Sequence, residues 1–348
     1  MLRDQRFINV LIPIISVILG LLAGAIIMLS FGYNPVEGYG ALYEGAFGNS
    51  YFMGETFVKV TPLILSGIAV AFAFRTGLFN IGVEGQVFVG WLASVWVGIS
   101  FESPMIIHLP LAILSAGVAG ALWGFVPGFL KAKFGVHEVI VSIMMNYIAL
   151  YTCNAIIRNV LTDRLDSTDR VADTASLSSQ MFYNWTGSRL HWGAIIALAL
   201  AFVMWFILEK TTKGYELRSV GFNQNASNYA GMNVNRNIVY SFLISGSFAG
   251  IAGAMQGLGT YGNMFVQSSF TNIGFDGIAV ALLGGNTALG SVFGAFLFGT
   301  LKNGAGSMPL VANIPKELVD IIVALIIFFV ASGYIIRWAL TRFKREGK

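Results

Sequence analysis

Long apolar runs alternate with short polar segments along most of this chain. Eight runs approach the roughly 20 residues that a helix needs to cross the hydrocarbon core of a bilayer. They are 8–30, 57–74, 86–101, 106–130, 138–157, 191–208, 238–258 and 318–336. Two further apolar segments, 273–285 and 289–304, are shorter and interrupted by glycine. Because backbone amides inside lipid must be satisfied within the protein, we predict an all-α polytopic membrane protein with about ten transmembrane segments.

The distribution of lysine and arginine gives the expected orientation. If the N-terminus is cytoplasmic, most basic residues fall on the cytoplasmic side, as the positive-inside rule requires. The segments 31–56 and 158–190 then lie outside. The basic tail 337–348 lies inside only if 273–285 and 289–304 enter the membrane separately. One long helix across 273–304 is the alternative, and it would leave this tail outside.

The start of the chain has two readings. A basic beginning, an apolar run and AGA at 23–25 are also features of a cleaved signal peptide. The run at 7–29 is long enough to span and continues past AGA, which favours a retained anchor. Both termini are therefore expected in the cytoplasm.

The composition supports a membrane protein and excludes several other classes. Of 348 residues, 56% are hydrophobic and 11% are charged, whereas roughly a quarter are charged in soluble domains. A net charge of +4, carried by scattered residues, gives no indication of nucleic-acid binding. The single cysteine, Cys153, excludes an internal disulfide, and His108, His137 and His191 lack metal-ligand spacing. No metal or cofactor is expected.

A short motif occurs twice, as NIGVEG at 80–85 and NIGFDG at 272–277. In the expected orientation, the span before the first copy runs inward and the span before the second runs outward. The halves 57–157 and 238–336 would then form an inverted repeat with glycine-broken helices, which is typical of a transport site between the halves.

Each copy places a carboxylate, Glu84 or Asp276, between glycines at expected membrane depth, where an unpartnered charge is costly. Either these acids hydrogen-bond a polar solute, or each caps the helix that it precedes. Asn146 could equally contact solute or bridge two helices. The candidates for the substrate pathway are Phe79, Asn80, Glu84, Asn146, Asn272, Phe275 and Asp276.

Residues 209–237 form the longest loop on the expected cytoplasmic face. Apolar residues scattered among Asn, Ser and Gly predict short helices on the membrane surface, with Asn225 or Ser227 as an N-cap. The loop is too short for a domain, and it is either a connector or a docking surface.

Three stretches together resemble permease subunits of bacterial ATP-binding-cassette importers. They are GLFNIGVEGQ at 77–86, KTTKGYELRSVGFNQNASNYAGMNV at 210–234 and GFDGIAVALLGG at 274–285. This family handles branched-chain amino acids, ribose-type sugars and nucleosides, and GLFNIGVEGQ is most similar to the nucleoside and simple-sugar branch. The resemblance covers roughly 55–335, so residues 1–348 are expected to form a single transmembrane permease domain.

The resemblance implies a set of partners in the bacterial cytoplasmic membrane. These are an ATP-binding subunit, a second permease that is usually a different chain, an extracytoplasmic substrate-binding lipoprotein and a small-molecule solute. The chain has no G-x-x-x-x-G-K-[ST] motif, so ATP hydrolysis would take place on another polypeptide. No enzymatic activity is expected of this chain.

The resemblance also places a coupling helix, which contacts the ATP-binding subunit, at about 221–232. Its candidate contact residues are Gly221, Asn223, Asn225, Ala226, Tyr229 and Gly231. The resulting hypothesis is the transmembrane pore of a nucleoside importer that works by alternating access. The alternatives are a ribose-type sugar permease of the same family, or a standalone ion-coupled transporter in which Glu84 and Asp276 titrate.

Overall fold

The helices account for nearly all regular structure in the computed structural model, which describes residues 2–101 and 103–332. In chain order they are α1 Leu2–Ser30, α2 Pro35–Phe47, α3 Ser50–Arg75, α4 Val83–Ser100, α5 Met105–Phe134, α6 Glu138–Ile156, α7 Gln180–Thr186, α8 Gly193–Lys210, α9 Thr212–Phe222, α10 Gln224–Tyr229, α11 Val234–Ala254, α12 Ile273–Leu283, α13 Ala288–Ala305, α14 Met308–Val311 and α15 Lys316–Ala331. Two π-helical turns, Ile157–Leu161 and Met255–Tyr261, extend α6 and α11, and Asp173–Ala175 is a 3₁₀ turn. Within the described ranges there are isolated bridges but no strand, which confirms the all-α prediction.

Each of the ten predicted segments coincides with a helix over its described residues. Among the residues that the structure describes, six helices are long and apolar enough to cross a membrane: α3, α4, α5, α8, and α6 and α11 with their π-helical extensions. The part of α1 from Ile14 and the whole of α12 are apolar but shorter. The number of membrane segments therefore stays a prediction. The basic tail and the last residues of the predicted span 318–336 and half 238–336 lie outside the described residues.

The segment 31–56 contains a helix of its own. Asn34 precedes α2, and its side-chain oxygen accepts a hydrogen bond from the backbone N–H of Val36 at 3.0 Å. Pro35 occupies the first helical position, where its fixed φ suits a helix and its missing N–H has no intrahelical partner to lose. Asn34 and Pro35 therefore mark the beginning of α2.

The chain divides into two compact units. The first combines the two ends of the chain, Met1–Thr56 and Gly299–Lys348. Within it, the Asn303 side-chain amide donates to the carbonyl oxygens of Gly45 at 3.1 Å and Phe52 at 3.0 Å. These bonds hold α13 against α2 and the beginning of α3.

The second unit, Phe57–Phe298, is built on closely packed α4, α5 and α11. A Cβ on Gly90 would overlap the carbonyl of Gly250, and one on Gly120 would overlap the carbonyl of Gly246. Small residues let these backbones touch, as in helix packing within membranes.

α12 is half a membrane helix. Its 11 residues span about 16 Å at 1.5 Å per residue, roughly half of a bilayer core. Irregular segments precede both α4 and α12, and Asn80, Gly82 and Met264 within them are buried. Irregular backbone at membrane depth is tolerated only where protein covers it or where it lines a water-filled cavity.

Candidate functional site

The two glycine-carboxylate motifs meet inside the second unit. A Cβ on Gly274 would overlap the backbone nitrogen of Glu84 and lie 2.8 Å from the carbonyl carbon of Val83. Only glycine permits this approach of the start of α12 to the start of α4. We call the contact between residues 80–85 and 272–277 the motif junction.

Glu84 caps α12 across the motif junction. Its carboxylate is fully buried and accepts hydrogen bonds from the Thr271 hydroxyl at 2.8 Å and the Asn272 N–H at 2.9 Å. Its second oxygen accepts a bond from the Gly274 N–H at 2.6 Å. The first amides of a helix lack intrahelical partners, and the positive end of the helix dipole favours an anion.

This arrangement changes the capping interpretation of Glu84. The residue lies in the first turn of α4 but does not cap it, since the start of α4 at Gly82 has no side-chain cap. It instead caps the helix of the other motif copy, some 190 residues later in the chain. A cap between distant segments has no signature in local sequence.

Asp276 lies in the first turn of α12, where the helix dipole stabilises a negative charge. It is 8% exposed, and its charge interacts with that of Glu84. The motif junction therefore places two carboxylates at one helix N-terminus.

Asn80 and Asn146 hold the first motif in place. The Asn80 amide donates to Gln86 Oε1 at 3.0 Å and to Ser245 Oγ at 2.9 Å. Asn146 Oδ1 accepts from the Gly85 N–H at 2.8 Å, and its amide donates to the carbonyl of Ile81 at 3.0 Å. Both asparagines are buried. Asn146 thus bridges α6 to the first motif, while solute contact by either residue stays a prediction.

The predicted aromatic residues lie in two different groups. Phe79 stacks on Phe74 with ring centroids 4.9 Å apart. Phe275 meets Phe270 edge-on at 5.7 Å, and Phe270 contacts Tyr147 at 5.0 Å. Tyr147 is 48% exposed, so an accessible aromatic surface lies beside the N-terminus of α12, where Asn272 is also exposed.

Sequence reasoning missed Tyr147 and Phe270 because it gave no indication that α6 packs against the segment before α12. Of the predicted pathway residues, all but Phe79 lie in the motif junction or are bonded to it, namely Asn80, Glu84, Asn146, Asn272, Phe275 and Asp276.

The loop 209–237 contains two short helices, α9 and α10, as predicted. The Thr211 hydroxyl accepts from the Gly214 N–H at 3.0 Å and caps α9. Asn223 Oδ1 accepts from the Ala226 N–H at 3.0 Å and caps α10. The predicted caps Asn225 and Ser227 were wrong, because the N-cap of α10 is Asn223, two residues before Asn225.

α10 projects from the protein surface. Five of the candidate contact residues are exposed: Asn223, Asn225, Ala226, Tyr229 and Gly231. The Tyr229 side chain is 94% exposed, and Phe222, which the sequence reasoning did not select, is 91% exposed. Exposed aromatic side chains on both sides of a short helix are typical of an interaction surface.

Gly221 differs from the other candidate contacts. A Cβ at this position would lie 2.8 Å from the carbonyl oxygen of Arg75 and 2.8 Å from the nitrogen of Gly77. Gly221 therefore packs against the turn that leads from α3 into the first motif.

Polar contacts fix α9 to the ends of three other helices. Glu209 pairs with Arg75 at 2.5 Å and with Arg218 at 2.7 Å. Hydrogen bonds from the Lys213 ammonium and the Asn237 amide hold the pKa of Glu216 below its ordinary value. α9 is thereby tied to α3, α8 and α11.

The described residues contain no group of three or more His, Cys, Asp and Glu side chains that could hold a metal ion. His108 is buried, and its ring nitrogens contact the Thr174 hydroxyl at 2.8 Å and the Val97 carbonyl at 3.1 Å.

Comparison with known proteins gives concordant matches. The family model described as branched-chain amino acid transport system / permease component matches residues 52–331. The guanosine ABC transporter permease protein NupP of Bacillus subtilis is 60% identical, over 99% of both chains. The nucleoside ABC transporter permease protein NupB of Lactococcus lactis is 42% identical, over 97% of this chain and 94% of its own. The glucose ABC transporter permease protein TsgB13 of Haloferax volcanii is 32% identical, over 92% and 87%.

These matches confirm the resemblance to importer permeases with a nucleoside branch. They describe a transport subunit rather than an enzyme, and they agree with six long apolar helices in a multi-pass membrane protein. The chain belongs to the branched-chain amino acid transport system / permease component family.

Proposed function

We propose that this chain is the transmembrane pore subunit of an ATP-driven nucleoside importer in the bacterial cytoplasmic membrane. The observation that carries the proposal is 60% identity with a guanosine permease over nearly the full length of both chains. The next relative, at 42% identity, is also a nucleoside permease. Both relatives are named as nucleoside permeases, and we therefore propose nucleosides as the class of solute for this chain.

The contact at the motif junction supports a proposed mechanism of alternating access. α4 and α12 begin beside each other, and Glu84 joins them with three hydrogen bonds. In the proposed inverted repeat these helices belong to opposite halves, so a rigid-body motion of one half would act on this contact.

The solute pathway is proposed to pass the exposed side of this N-terminus. Tyr147, Phe270 and Phe275 offer aromatic faces for a base. Asn272, which is exposed, offers hydrogen bonds to a ribose or base edge. Contacts here are expected to be weak, since a separate binding protein would select the solute.

α10 is the proposed docking element for the ATP-binding subunit. Its exposed residues and the aromatic side chains of Phe222 and Tyr229 would enter a groove on that subunit. Arg75, Glu209 and Arg218 lie at the same end of the second unit. Basic residues at this end support its placement in the cytoplasm, with both termini on the same side. A second permease and an extracytoplasmic lipoprotein would complete the transporter.

Uptake measurements test this function directly. A host without nucleoside uptake should accumulate labelled guanosine when it expresses this chain with the products of the neighbouring transport genes. Omission of the ATP-binding subunit should abolish uptake. Uptake by this chain alone that an uncoupler stops would establish ion-coupled transport instead. Uptake of labelled ribose, with no competition by guanosine, would establish a sugar permease.

Substitution Ala226→Arg should uncouple ATP hydrolysis from transport. The Ala226 side chain is exposed on α10, and a bulky cation there should weaken docking by about 2 kcal/mol, as at interface hot spots. Guanosine uptake and subunit co-purification should both fall, while membrane insertion stays normal. The control is Val136→Arg, at an exposed position in the turn between α5 and α6. Normal uptake by Ala226→Arg would contradict the docking assignment.

A further inference from the structure

An amphipathic crevice lies between α8 and the start of α13. It consists of two adjoining cavities of about 460 Å³ and 370 Å³, both lined by Trp205, Ala288 and Leu289. The smaller cavity is entirely apolar, with Leu198 and Phe202 of α8 opposite Val292 of α13. The larger one carries Arg75, Glu209, Lys210, Asn286 and Thr287. We call the combined space the α8–α13 crevice.

The polar mouth of this crevice has excess positive charge. Glu209 pairs with both Arg75 and Arg218, so two cations face one carboxylate. Lys210 adds a third cation, and its ammonium lies 5.4 Å from the centre of the Trp205 ring. α13 also begins here, so the positive end of its dipole points toward the mouth. A negatively charged group is the electrostatic complement of this surface.

The mouth also offers an unused acceptor. Asn286 has a left-handed backbone conformation with φ of 54°, which directs the chain from α12 into α13. Its Oδ1 atom is buried and has no hydrogen-bond partner among the described residues. Asn286 lines the mouth, and rotation of its side chain would expose this oxygen to a hydroxyl of a ligand bound there.

The charged mouth and the apolar part of the crevice follow one another along α8, as the headgroup and the acyl chains of a lipid do within one leaflet. Lys210 and Trp205 stand near the end of this candidate membrane helix, where cationic and indole side chains favour the lipid–water interface. Leu198 is twelve residues, or about 18 Å, further into the helix. The apolar trough thus continues inward from the charged mouth.

We propose that the α8–α13 crevice binds an anionic phospholipid with a hydroxylated headgroup. The phosphate lies at Lys210 and the start of α13, one acyl chain follows Leu198, Phe202 and Val292, and a headgroup hydroxyl donates to Asn286. Basic pockets between membrane helices bind anionic headgroups by the same chemistry. The site uses none of the predicted substrate-pathway residues, and it is independent of the identity of the transported solute.

Native mass spectrometry of the purified full-length chain tests this site. The protein in detergent is titrated with phosphatidylglycerol or with phosphatidylcholine, which has similar chains but no net charge. One phosphatidylglycerol should be retained in preference to phosphatidylcholine. Lys210→Gln should weaken its binding about fivefold, the effect of one cation near a phosphate. Val292→Trp should block the trough and remove the retained lipid.

The matched control is Lys133→Gln. Lys133 is also in the last turn of a long apolar helix, and its ammonium also lies over an aromatic ring, that of Phe129 at 5.5 Å. It does not line the crevice, so this variant should retain phosphatidylglycerol. Melting temperatures and gel filtration show that each variant is folded before its lipid binding is compared.

Four outcomes would overturn the proposal. The first is equal binding of the two lipids, and the second is equal loss in Lys210→Gln and Lys133→Gln. The third is undiminished binding in a folded Val292→Trp protein, which would identify the lipid as part of the ordinary surrounding layer. If another subunit covers the crevice, the assembled transporter will retain no lipid there, and this also overturns the proposal. Guanosine uptake by wild type is unaffected by any of these results, so the two proposals can fail separately.

Discussion

Replacement of Glu84 by glutamine should remove most of the transport activity and also destabilise the protein. One carboxylate oxygen accepts bonds from Thr271 and Asn272, and the other accepts the Gly274 N–H at 2.6 Å. In glutamine one of these oxygens becomes an NH₂ group, so a donor must face a donor. Loss of a buried, charge-assisted bond should lower the free energy of unfolding by about 2–3 kcal/mol.

The Glu84 experiment combines guanosine uptake with the melting temperature of the purified protein. Uptake should fall at least about tenfold. Displacement of α12 that raises the free energy of the transport-competent conformation by about 1.4 kcal/mol already lowers its population tenfold. Glu84→Asp, which is one methylene shorter, should lose the cap and show a similar decrease in both measurements. Glu44→Gln, at an exposed carboxylate on α2, is the control and should change neither.

The pattern across these variants separates the two roles left open by the sequence. If Glu84 is chiefly a cap, uptake and stability fall together in both variants. If it chiefly contacts solute, Glu84→Gln loses uptake while its melting temperature stays that of wild type. Wild-type values in both measurements would show that the hydrogen bonds to α12 contribute little.

Much of the architecture could be predicted from the sequence because the membrane imposes long apolar runs. The ten predicted segments all fall on helices, including the short α12, which begins within NIGFDG and ends before the glycines at 284 and 285. The two-copy motif also directed attention to the residues that meet at the junction. These predictions depend on local composition and period, which a single sequence displays directly.

The contacts that define the motif junction could not be predicted in the same way. Glu84 lies in the first turn of α4 but accepts hydrogen bonds from the backbone amides at the start of α12. Asn80 and Asn146 were predicted as pathway residues by their polarity, and the structure shows their amides bound to neighbouring backbone and side chains. Polarity within a membrane segment identifies a position that needs a partner, but the partner is determined by tertiary packing.

In the loop 209–237, neighbouring residues also have different environments that the sequence did not predict. Gly221 and Phe222 are neighbours in sequence, yet Gly221 packs on the backbone of Gly77 and Phe222 is 91% exposed. The sequence placed Gly221 with the candidate contact residues at about 221–232, and it left open whether the loop is a connector or a docking surface. The structure separates an outer part, α10, from an inner part in which α9 touches the protein.

These two parts suggest a route from the docking surface to the motif junction. α10 follows α9 directly, and Gly221 at the end of α9 touches the turn 75–77. That turn is bonded to α11 through the hydroxyls of Thr76 and Ser241, and it continues into the first motif. Glu84 then connects the first motif to α12. A displacement of α10 would therefore reach the start of α12 through contacts of backbone and short side chains.

Substitution Gly221→Val should interrupt this route without affecting the docking surface. The Cβ atom alone would lie 2.8 Å from backbone atoms of Arg75 and Gly77, and backbone has no flexible end that could move aside. α9 must shift away from the turn 75–77, at a cost of about 1–3 kcal/mol for an overpacked contact. The ATP-binding subunit should still co-purify, and ATP hydrolysis should continue, while guanosine uptake falls at least about tenfold.

Gly40→Val is the matched control for this experiment. Gly40 lies in the exposed part of α2, and a Cβ there would have no atom within 4 Å, so subunit assembly and uptake should both stay normal. Gly221→Ala should show an intermediate loss, because it introduces the Cβ contact without the valine methyl groups. Loss of co-purification together with uptake would show that Gly221 supports the docking surface itself. Normal uptake by Gly221→Val would show that motion passes from α10 to the membrane helices by another set of contacts, such as the ion pairs of Glu209.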